Sequence, residues 1–153
     1  MDGDRDGFEA FFRDAEPRLR RAYVGTHGTD RAADATAEAL AFGWEHWERV
    51  RTMENPVGYL FRVGQSRTRP RRTPRLPAPE VVGEPDLDPG LVPALLRLTA
   101  AQRTAVWLVH GCQWRYAEAA EAMGISASAV GTHVSRGIES LRRALAVEEV
   151  EGA

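Results

Sequence analysis

Six of the nine prolines in this 153-residue chain lie between Pro70 and Pro89, and this clustering limits the folds that the chain can adopt. Proline fixes φ and lacks an N–H donor, so such a stretch sustains neither a helix nor a central strand. The stretch also contains few large apolar residues, which is typical of a semi-extended linker. We therefore predict two short folded segments, residues 1–67 and 91–153, joined by a linker at residues 68–90.

Both segments show the apolar spacing of amphipathic helices and no convincing strand alternation. The clearest helix follows the turn-like sequence GTHGTD, where Asp30 is the predicted N-cap. Apolar residues then recur at spacings of three and four: Ala33, Ala37, Leu40, Trp44 and Trp47. Another helix is predicted to begin at Asn55 and Pro56, because proline is favoured at the first helical position. The predicted fold class is all-α, with two small helical domains.

The second segment contains the pattern of a helix-turn-helix. Thr99 is a predicted N-cap for the helix that precedes this unit. In YAEAAEAMGISASAVGTHV, a short helix is followed by a turn at Gly124, the apolar Ile125, the predicted N-cap Ser126 and a longer helix. Glycine permits the positive φ of the turn, and the apolar residue after it locks the two helices together. This order of residues predicts a DNA-binding unit.

Positive charge is concentrated on the first half of the linker and the helix before it. All twenty basic residues are arginines, and no acidic residue occurs between Glu54 and Glu80. Six arginines lie in this window: Arg62, Arg67, Arg69, Arg71, Arg72 and Arg75. Because arginine binds phosphates and base edges bidentately, we predict contact with nucleic acid or polymerase, and a disordered basic linker is the alternative. Pro70 is predicted to end the helix between Arg67 and Arg69.

Several classes of protein are excluded by composition and spacing. Cys112 is the only cysteine, the N-terminus is polar, and no apolar run approaches the roughly 18 residues of a membrane span, so we predict a cytoplasmic protein. His110 and Cys112 lie two residues apart, but no second pair stands at ligand spacing, so no metal site is predicted. No catalytic constellation or cofactor motif has supporting context, so neither an enzyme nor a small-molecule substrate is expected.

Three stretches together resemble a bacterial sigma factor of the extracytoplasmic-function group, the minimal kind with only regions 2 and 4. RAADATAEALAFGWEHW is similar to the family's helix that contacts the clamp helices of RNA polymerase, and NPVGYLFRVGQSR is similar to its promoter-melting helix. LTAAQRTAVWLVHGCQWRYAEAAEAMGISASAVGTHVSRGIESLRRAL is similar to its region 4. The resemblance covers roughly residues 7–68 and 91–146, and it makes residues 1–67 a region 2-like domain and residues 91–153 a region 4-like domain.

The resemblance implies a polymerase subunit that binds core RNA polymerase and directs it to promoter DNA, with an anti-sigma factor as a further partner. The implied polymerase contacts are Asp34, Glu38, Phe42 and Glu45. The implied contacts to unpaired bases of the minus-ten element are Arg49, Arg51, Thr52, Asn55, Arg62, Gln65 and Arg67. The implied contacts of the last helix to the minus-35 element are Ser126, Ser128, Gly131, Thr132, His133, Ser135 and Arg136.

Two departures from the family bear on DNA binding. Gly131 and His133 stand where the family usually has lysine and arginine, so DNA binding by the second segment alone is predicted to be weak. The promoter-melting helix is also shorter than in the family, because Pro70 ends it about two turns early. Two alternatives stay open: a LuxR-like regulator that uses only its helix-turn-helix, and a degenerate sigma-like module that binds polymerase or another protein without promoter recognition. The first alternative leaves residues 30–67 unexplained.

Four further side chains are placed by helical periodicity. Trp44 and Trp47 fall on the apolar stripe of their helix, so they are predicted to be core residues rather than platforms for base stacking. Glu118 and Glu121 fall on the polar side of the short helix, where a solvated face is preferred over a contact with polymerase.

Overall fold

The computed structural model describes residues 2–68 and 90–151. These residues form α-helices, one π-helical turn and short connections, and no strand occurs within the two described ranges, so the predicted all-α class is confirmed. The elements are α1 (Asp2–His27), α2 (Thr29–Glu45), α3 (Trp47–Val50), α4 (Pro56–Arg67), α5 (Leu91–Leu96), α6 (Ala100–Val106), the π-helical turn (Trp107–Gly111), α7 (Tyr116–Met123) and α8 (Ala127–Glu151).

In the first half of the chain, α1, α2 and α4 pack around Tyr23. The Tyr23 ring is fully buried and stacks on Phe61 with ring centroids 4.6 Å apart. Its hydroxyl donates a hydrogen bond of 2.7 Å to the carbonyl oxygen of Phe61. Burial raises the pKa of Tyr23 well above that of an exposed phenol, so the hydroxyl stays a donor. This bond fixes α4 against α1.

The start of α2 differs from the prediction. Gly28, with φ of 86°, occupies the N-cap position, and no side chain caps the helix. Asp30 instead lies in the first turn of α2, where its carboxylate faces the positive end of the helix dipole. The prediction of Asp30 as the N-cap is therefore wrong by two residues, because Gly28 at positive φ already supplies the turn after α1.

The basic helix α4 begins and ends as its sequence indicates. Pro56 takes the first helical position after Asn55, although the Asn55 side chain makes no capping hydrogen bond. The helix ends at Arg67, and Thr68 is extended with its hydroxyl donating to the carbonyl oxygen of Gly64 at 2.5 Å. The predicted end between Arg67 and Arg69 is confirmed. The remaining linker, including the arginines at 69, 71, 72 and 75, lies outside the described residues.

The second half contains the predicted helix-turn-helix. Thr99 and Gln102 form a reciprocal capping box at the start of α6, with bonds of 3.1 and 3.3 Å. Gly124 ends α7 in the left-handed region at φ 67°, and the Ser126 hydroxyl accepts a bond of 3.0 Å from the backbone N–H of Ala129. Both caps and the turn are confirmed. The inward face of α8 carries the buried residues Val130, Val134 and Leu141.

The two halves share one hydrophobic core. Buried residues of α1, α2 and α4 form a continuous cluster with Leu108, Trp114 and Ala119 of the second half. A smaller cluster joins α5, α6 and α8 around Leu98 and Leu141. Because the larger cluster crosses from one half to the other, α7 lies directly on α4 in this arrangement.

Candidate nucleic-acid interface

Phe42, Arg49, Tyr59, Arg62 and Arg67 form a continuous patch that we call the arginine–aromatic surface. The Arg67 guanidinium lies 5.1 Å from the centroid of Phe42. The Arg49 guanidinium lies 5.9 Å from the ring centroid of Phe42 and 5.8 Å from that of Tyr59. The Arg62 guanidinium lies 5.7 Å from the ring centroid of Tyr59. Each ring therefore has two guanidinium groups beside it, at distances typical of cation–π contacts.

The helices determine this arrangement. Phe42 comes from the last turns of α2, Arg49 from the short α3, and the other three residues from α4. His46 separates α2 from α3, and its ring stacks on Phe42 with centroids 4.1 Å apart. Arg49 then donates a hydrogen bond of 3.0 Å to the Tyr59 hydroxyl, which ties α3 to α4. The break at His46, the short α3 and the connection at residues 51–55 therefore place the end of α2 next to α4.

Three of the seven predicted minus-ten residues, Arg49, Arg62 and Arg67, meet on this surface. The others are distributed around it. Arg51 forms an ion pair of 3.2 Å with Asp4, and the Thr52 hydroxyl donates to the carbonyl oxygen of Arg49 at 2.8 Å. Asn55 precedes α4, and Gln65 is exposed on it.

Tyr59 belongs to the site but is absent from the sequence prediction. Its position three residues before Arg62 places the two side chains on the same face of α4, and this spacing was the available signal. The contact with Arg49 was not visible in the sequence, because it depends on how α3 folds back.

The four predicted polymerase contacts follow one another along α2. Asp34, Glu38 and Glu45 are exposed, and Phe42 is half-buried. Glu38 lies 3.8 Å from Arg67, and Phe42 lies beneath the same arginine. The acidic face of α2 therefore borders the arginine–aromatic surface, and Phe42 belongs to both.

The predicted minus-35 residues lie at the start of α8. Ser128, Thr132, Ser135 and Arg136 are exposed, whereas Gly131 and His133 are half-buried. Ser126 uses its hydroxyl to cap α8, and the Thr132 hydroxyl donates to the carbonyl oxygen of Ser128 at 3.2 Å. Arg136 is thus the one permanently charged side chain among the predicted positions.

The prediction that both tryptophans are core residues is wrong for Trp44. Its side chain is 50% exposed and, with Phe12, forms the edge of an apolar groove between α1 and α2. Trp47 is half-buried, with its ring 5.4 Å from Phe8 and 5.3 Å from Phe11, so its prediction is confirmed. Trp47 belongs to α3 and packs against Phe8 and Phe11 of α1, whereas Trp44 of α2 lies 5.1 Å from Phe8 and borders the groove.

Glu118 and Glu121 are also placed differently from the prediction. Glu118 is only 5% exposed, and its carboxylate accepts a bond of 2.7 Å from Arg18 and a bond of 3.2 Å from the backbone N–H of Arg115. Glu121 forms an ion pair of 3.3 Å with Arg62. The polar face of α7 is therefore turned towards the first half of the chain rather than towards solvent.

The surroundings of Glu118 favour its charged form. Burial raises the pKa of this carboxyl group, but the bonds from Arg18 and the Arg115 backbone, with the charges of both arginines, outweigh burial and lower it overall. Removing one partner of such a buried pair leaves an uncompensated charge. Glu118 therefore holds α7 to α1 as long as it is ionised.

Within the two described ranges, no group of three or more histidine, cysteine, aspartate or glutamate side chains is arranged to hold a metal ion. Cys112 is half-buried, and burial raises the pKa of its thiol to about 11 despite the nearby Arg21. In the same ranges, no helix has the length and apolarity that a membrane span requires.

The described residues combine an all-α fold and an intact helix-turn-helix, a unit typical of DNA-binding proteins, with a second, cationic aromatic surface. Residues 91–141 match the family described as Sigma-70, region 4. The chain is also similar to the sigma factor RpoE of Bartonella quintana in its structure with the anti-sigma factor NepR, at a TM-score of 0.66 and 22% identity over 92% of this chain and 98% of that one. No curated protein matches the sequence significantly.

Residues 91–141 are thus similar to sigma-70 region 4, and the described residues share the fold of the Bartonella sigma factor. Both findings agree with the predicted resemblance to sigma factors.

Proposed function

We propose that the chain is a transcription initiation factor that binds core RNA polymerase in the cytoplasm and directs it to promoter DNA, acting by binding and not by catalysis. The observation that supports this proposal is the presence of two different candidate nucleic-acid surfaces in one chain. The start of α8 follows the turn of a helix-turn-helix, and the arginine–aromatic surface combines cations with partly exposed aromatic rings.

The arginine–aromatic surface suits a single strand better than a duplex. Unpaired bases stack on aromatic rings, which contributes about 1–3 kcal/mol per base, while arginines contact the phosphates between them. Tyr59 is half-buried and offers both a ring and a hydroxyl at this position. This surface would therefore hold unpaired bases of the minus-ten element.

The helix-turn-helix would bind the minus-35 element through the first turns of α8. Only these turns of a recognition helix reach base edges. Arg136 would contact a base or a phosphate, and Ser128, Thr132 and Ser135 would supply hydrogen bonds. With so little charge, this surface would depend on polymerase to raise its effective concentration at the promoter.

Polymerase would bind the exposed acidic face of α2, formed by Asp34, Glu38 and Glu45. The similar Bartonella sigma factor is bound to an anti-sigma factor in its structure. We extend that relationship to this chain and propose a protein inhibitor of the same kind as its regulator.

The decisive experiment has two stages. The purified chain is first run with core RNA polymerase on a sizing column, and co-migration is expected. Runoff transcription from genomic fragments should then give defined start sites. If the chain does not co-migrate with polymerase, the remaining hypothesis is a DNA-binding regulator that uses only its helix-turn-helix. Co-migration without specific starts would favour the degenerate sigma-like module, which the early end of α4 and the weakly charged α8 would also fit.

A further inference from the structure

The contact between α4 and α7 brings together a predicted DNA ligand and a carboxylate of the same chain. Arg62 lies against the Tyr59 ring at 5.7 Å and pairs with Glu121 of α7 at 3.3 Å. A carboxylate and a phosphate are both anionic ligands for one guanidinium group. Arg62 cannot direct the same N–H groups to Glu121 and to a DNA strand.

We propose that the helix-turn-helix half of the chain is an intramolecular competitor of single-stranded DNA, in which α7 covers α4 and occupies Arg62 until the two halves separate. This inference rests on the proposed function of the arginine–aromatic surface. It adds a regulatory contact within the chain itself, independent of any protein inhibitor.

The second contact of α7 reinforces the first. One turn before Glu121, Glu118 accepts a bond of 2.7 Å from Arg18, which also lies 5.6 Å from the ring centroid of Trp114. Two carboxylates one turn apart on α7 thus bind two arginines on different helices of the first half. The helix α7 thus presents two carboxylates to arginines that would otherwise be available to a phosphate.

Glycines allow the close approach of the two halves. A Cβ at Gly58 of α4 would overlap the carbonyl oxygen of Glu118 and lie 3.1 Å from the Cβ of Glu121. A Cβ at Gly25 of α1 would overlap the indole of Trp107, whose Nε1 donates to the Ala22 carbonyl oxygen at 3.2 Å. One added methyl group at Gly58 therefore acts as a wedge between α4 and α7.

The closed arrangement affects the two DNA surfaces unequally. Ser128, Thr132 and Arg136 of α8 remain exposed, while Arg62 is engaged by α7. The contact also has an internal cost, because Trp114 is 3% exposed and its Nε1 has no hydrogen-bond acceptor among the described residues. The contact thus combines two ion pairs with a shared apolar cluster, and the unpaired Nε1 lowers the free energy needed to separate the halves.

Cys112 supplies a probe of this separation in the intact chain. Its thiol is half-buried and packs against the apolar cluster that the two halves share, with Arg21 of α1 nearby, so it lies where the halves meet. Burial raises its pKa to about 11, which slows reaction with a thiol reagent. Because it is the only cysteine in the chain, the labelling rate reports separation without added labels.

The main variant is Gly58→Ala, with Gly3→Ala as the matched control because a Cβ at Gly3 meets no atom within 4 Å. Alanine also strengthens α4 as a helix, so circular dichroism should show an intact fold. We expect Gly58→Ala to raise the Cys112 labelling rate on the order of ten-fold. Affinity for a fluorescein-labelled single-stranded oligonucleotide should rise in parallel.

Glu121→Gln provides a milder test that leaves the packing in place. The Arg62–Glu121 pair is partly exposed, so removing its charge should raise oligonucleotide affinity only about two- to five-fold. Adding Arg62→Ala to Glu121→Gln should abolish this gain. Saturating oligonucleotide should also speed the labelling of Cys112 in the unaltered chain, since coupling between the two equilibria is reciprocal.

The outcomes separate this inference from the proposed function. If the unaltered chain binds oligonucleotide but Gly58→Ala and Glu121→Gln bind it equally well, the competition is disproved and the proposed function stands. Faster labelling of Gly58→Ala without tighter binding leads to the same conclusion. If no form of the chain binds oligonucleotide or co-migrates with polymerase, both ideas fail together.

Discussion

The two candidate DNA surfaces of this chain are built in opposite ways. On the arginine–aromatic surface, two rings hold three guanidinium groups in fixed positions. On α8, Arg136 is accompanied mainly by small hydroxyl-bearing residues. The first surface therefore offers charge and stacking, and the second offers shape and hydrogen bonds. Salt-dependent affinity should come chiefly from the first surface, and duplex geometry should be recognised by the second.

The surfaces also differ in what holds them in place. The arginine–aromatic surface depends on three helices meeting, and its central side chains lie within reach of α7. The start of α8 needs only its own cap at Ser126 and the turn at Gly124. A change in how α4 packs on α1 and α2 should therefore damage the first surface and leave the second intact.

Gly64→Ala should produce the largest effect. A Cβ at this position would overlap the Tyr23 hydroxyl and lie 2.8 Å from the carbonyl oxygen of Ala35, so α4 must shift away from α1 and α2. We expect the free energy of unfolding to fall by about 1–3 kcal/mol, measured by urea denaturation. Binding of single-stranded DNA should be lost, whereas binding of duplex DNA through α8 should persist.

Gly3→Ala is the control for this variant, because its added methyl group meets no neighbouring atom. Equal stability of the two variants would show that α4 is not fixed by the contact with Tyr23.

Tyr59→Leu should have the next largest effect, confined to the single strand. Leucine retains an apolar side chain but removes the aromatic face and the hydroxyl that accepts from Arg49. Loss of one stacking platform should weaken oligonucleotide binding by about 1–3 kcal/mol in a fluorescence anisotropy titration.

Tyr116→Leu is the matched control for Tyr59→Leu, since Tyr116 is 46% exposed on α7 and lies outside the surface. If both substitutions weaken binding equally, the effect belongs to exposed tyrosines in general and the arginine–aromatic surface has no special role.

Local signals in the sequence were sufficient for the helix-turn-helix. Thr99, Gly124 and Ser126 each act within a few residues of their own position, so their residue types alone predict the caps and the turn. The end of α4 at Arg67 followed equally well from the proline three residues later.

Packing between distant segments was not predictable in this way. The periodicity of α7 placed Glu118 on a polar face, but α1 and α4 cover that face and supply Arg18 as its partner. The periodicity of α2 placed Trp44 on an apolar stripe, but the contact with Phe8 of α1 covers only part of its ring and leaves the side chain 50% exposed. Tyr59 joined the site because Phe42 of α2 and Arg49 of α3 both lie against it. The environment of each of these three residues depends on which element packs against its helix, and the periodicity of a single helix does not contain that information.

Arg136→Ala should affect the second surface alone. Removing one phosphate contact should reduce the salt slope of duplex binding by about one and weaken binding roughly uniformly across sequences. If Arg136 instead contacts a base, specificity at that base should relax, at a cost of about 1–3 kcal/mol. Promoter-directed transcription should fall while co-migration with polymerase persists. Equal loss of both activities would make Arg136 a structural residue.

Gly131→Ala should have the smallest effect and should act in the opposite direction on stability. A Cβ at Gly131 meets nothing within 4 Å, in contrast to Gly64, so the fold does not require glycine at this position of α8. Replacing it should raise the free energy of unfolding by up to about 1 kcal/mol, because alanine favours the helix. Duplex affinity should change little, since no hydrogen-bond donor is lost. A marked fall in duplex affinity together with a higher free energy of unfolding would instead show that DNA lies directly against Gly131. The absence of a side chain at this position would then be needed for DNA to approach α8.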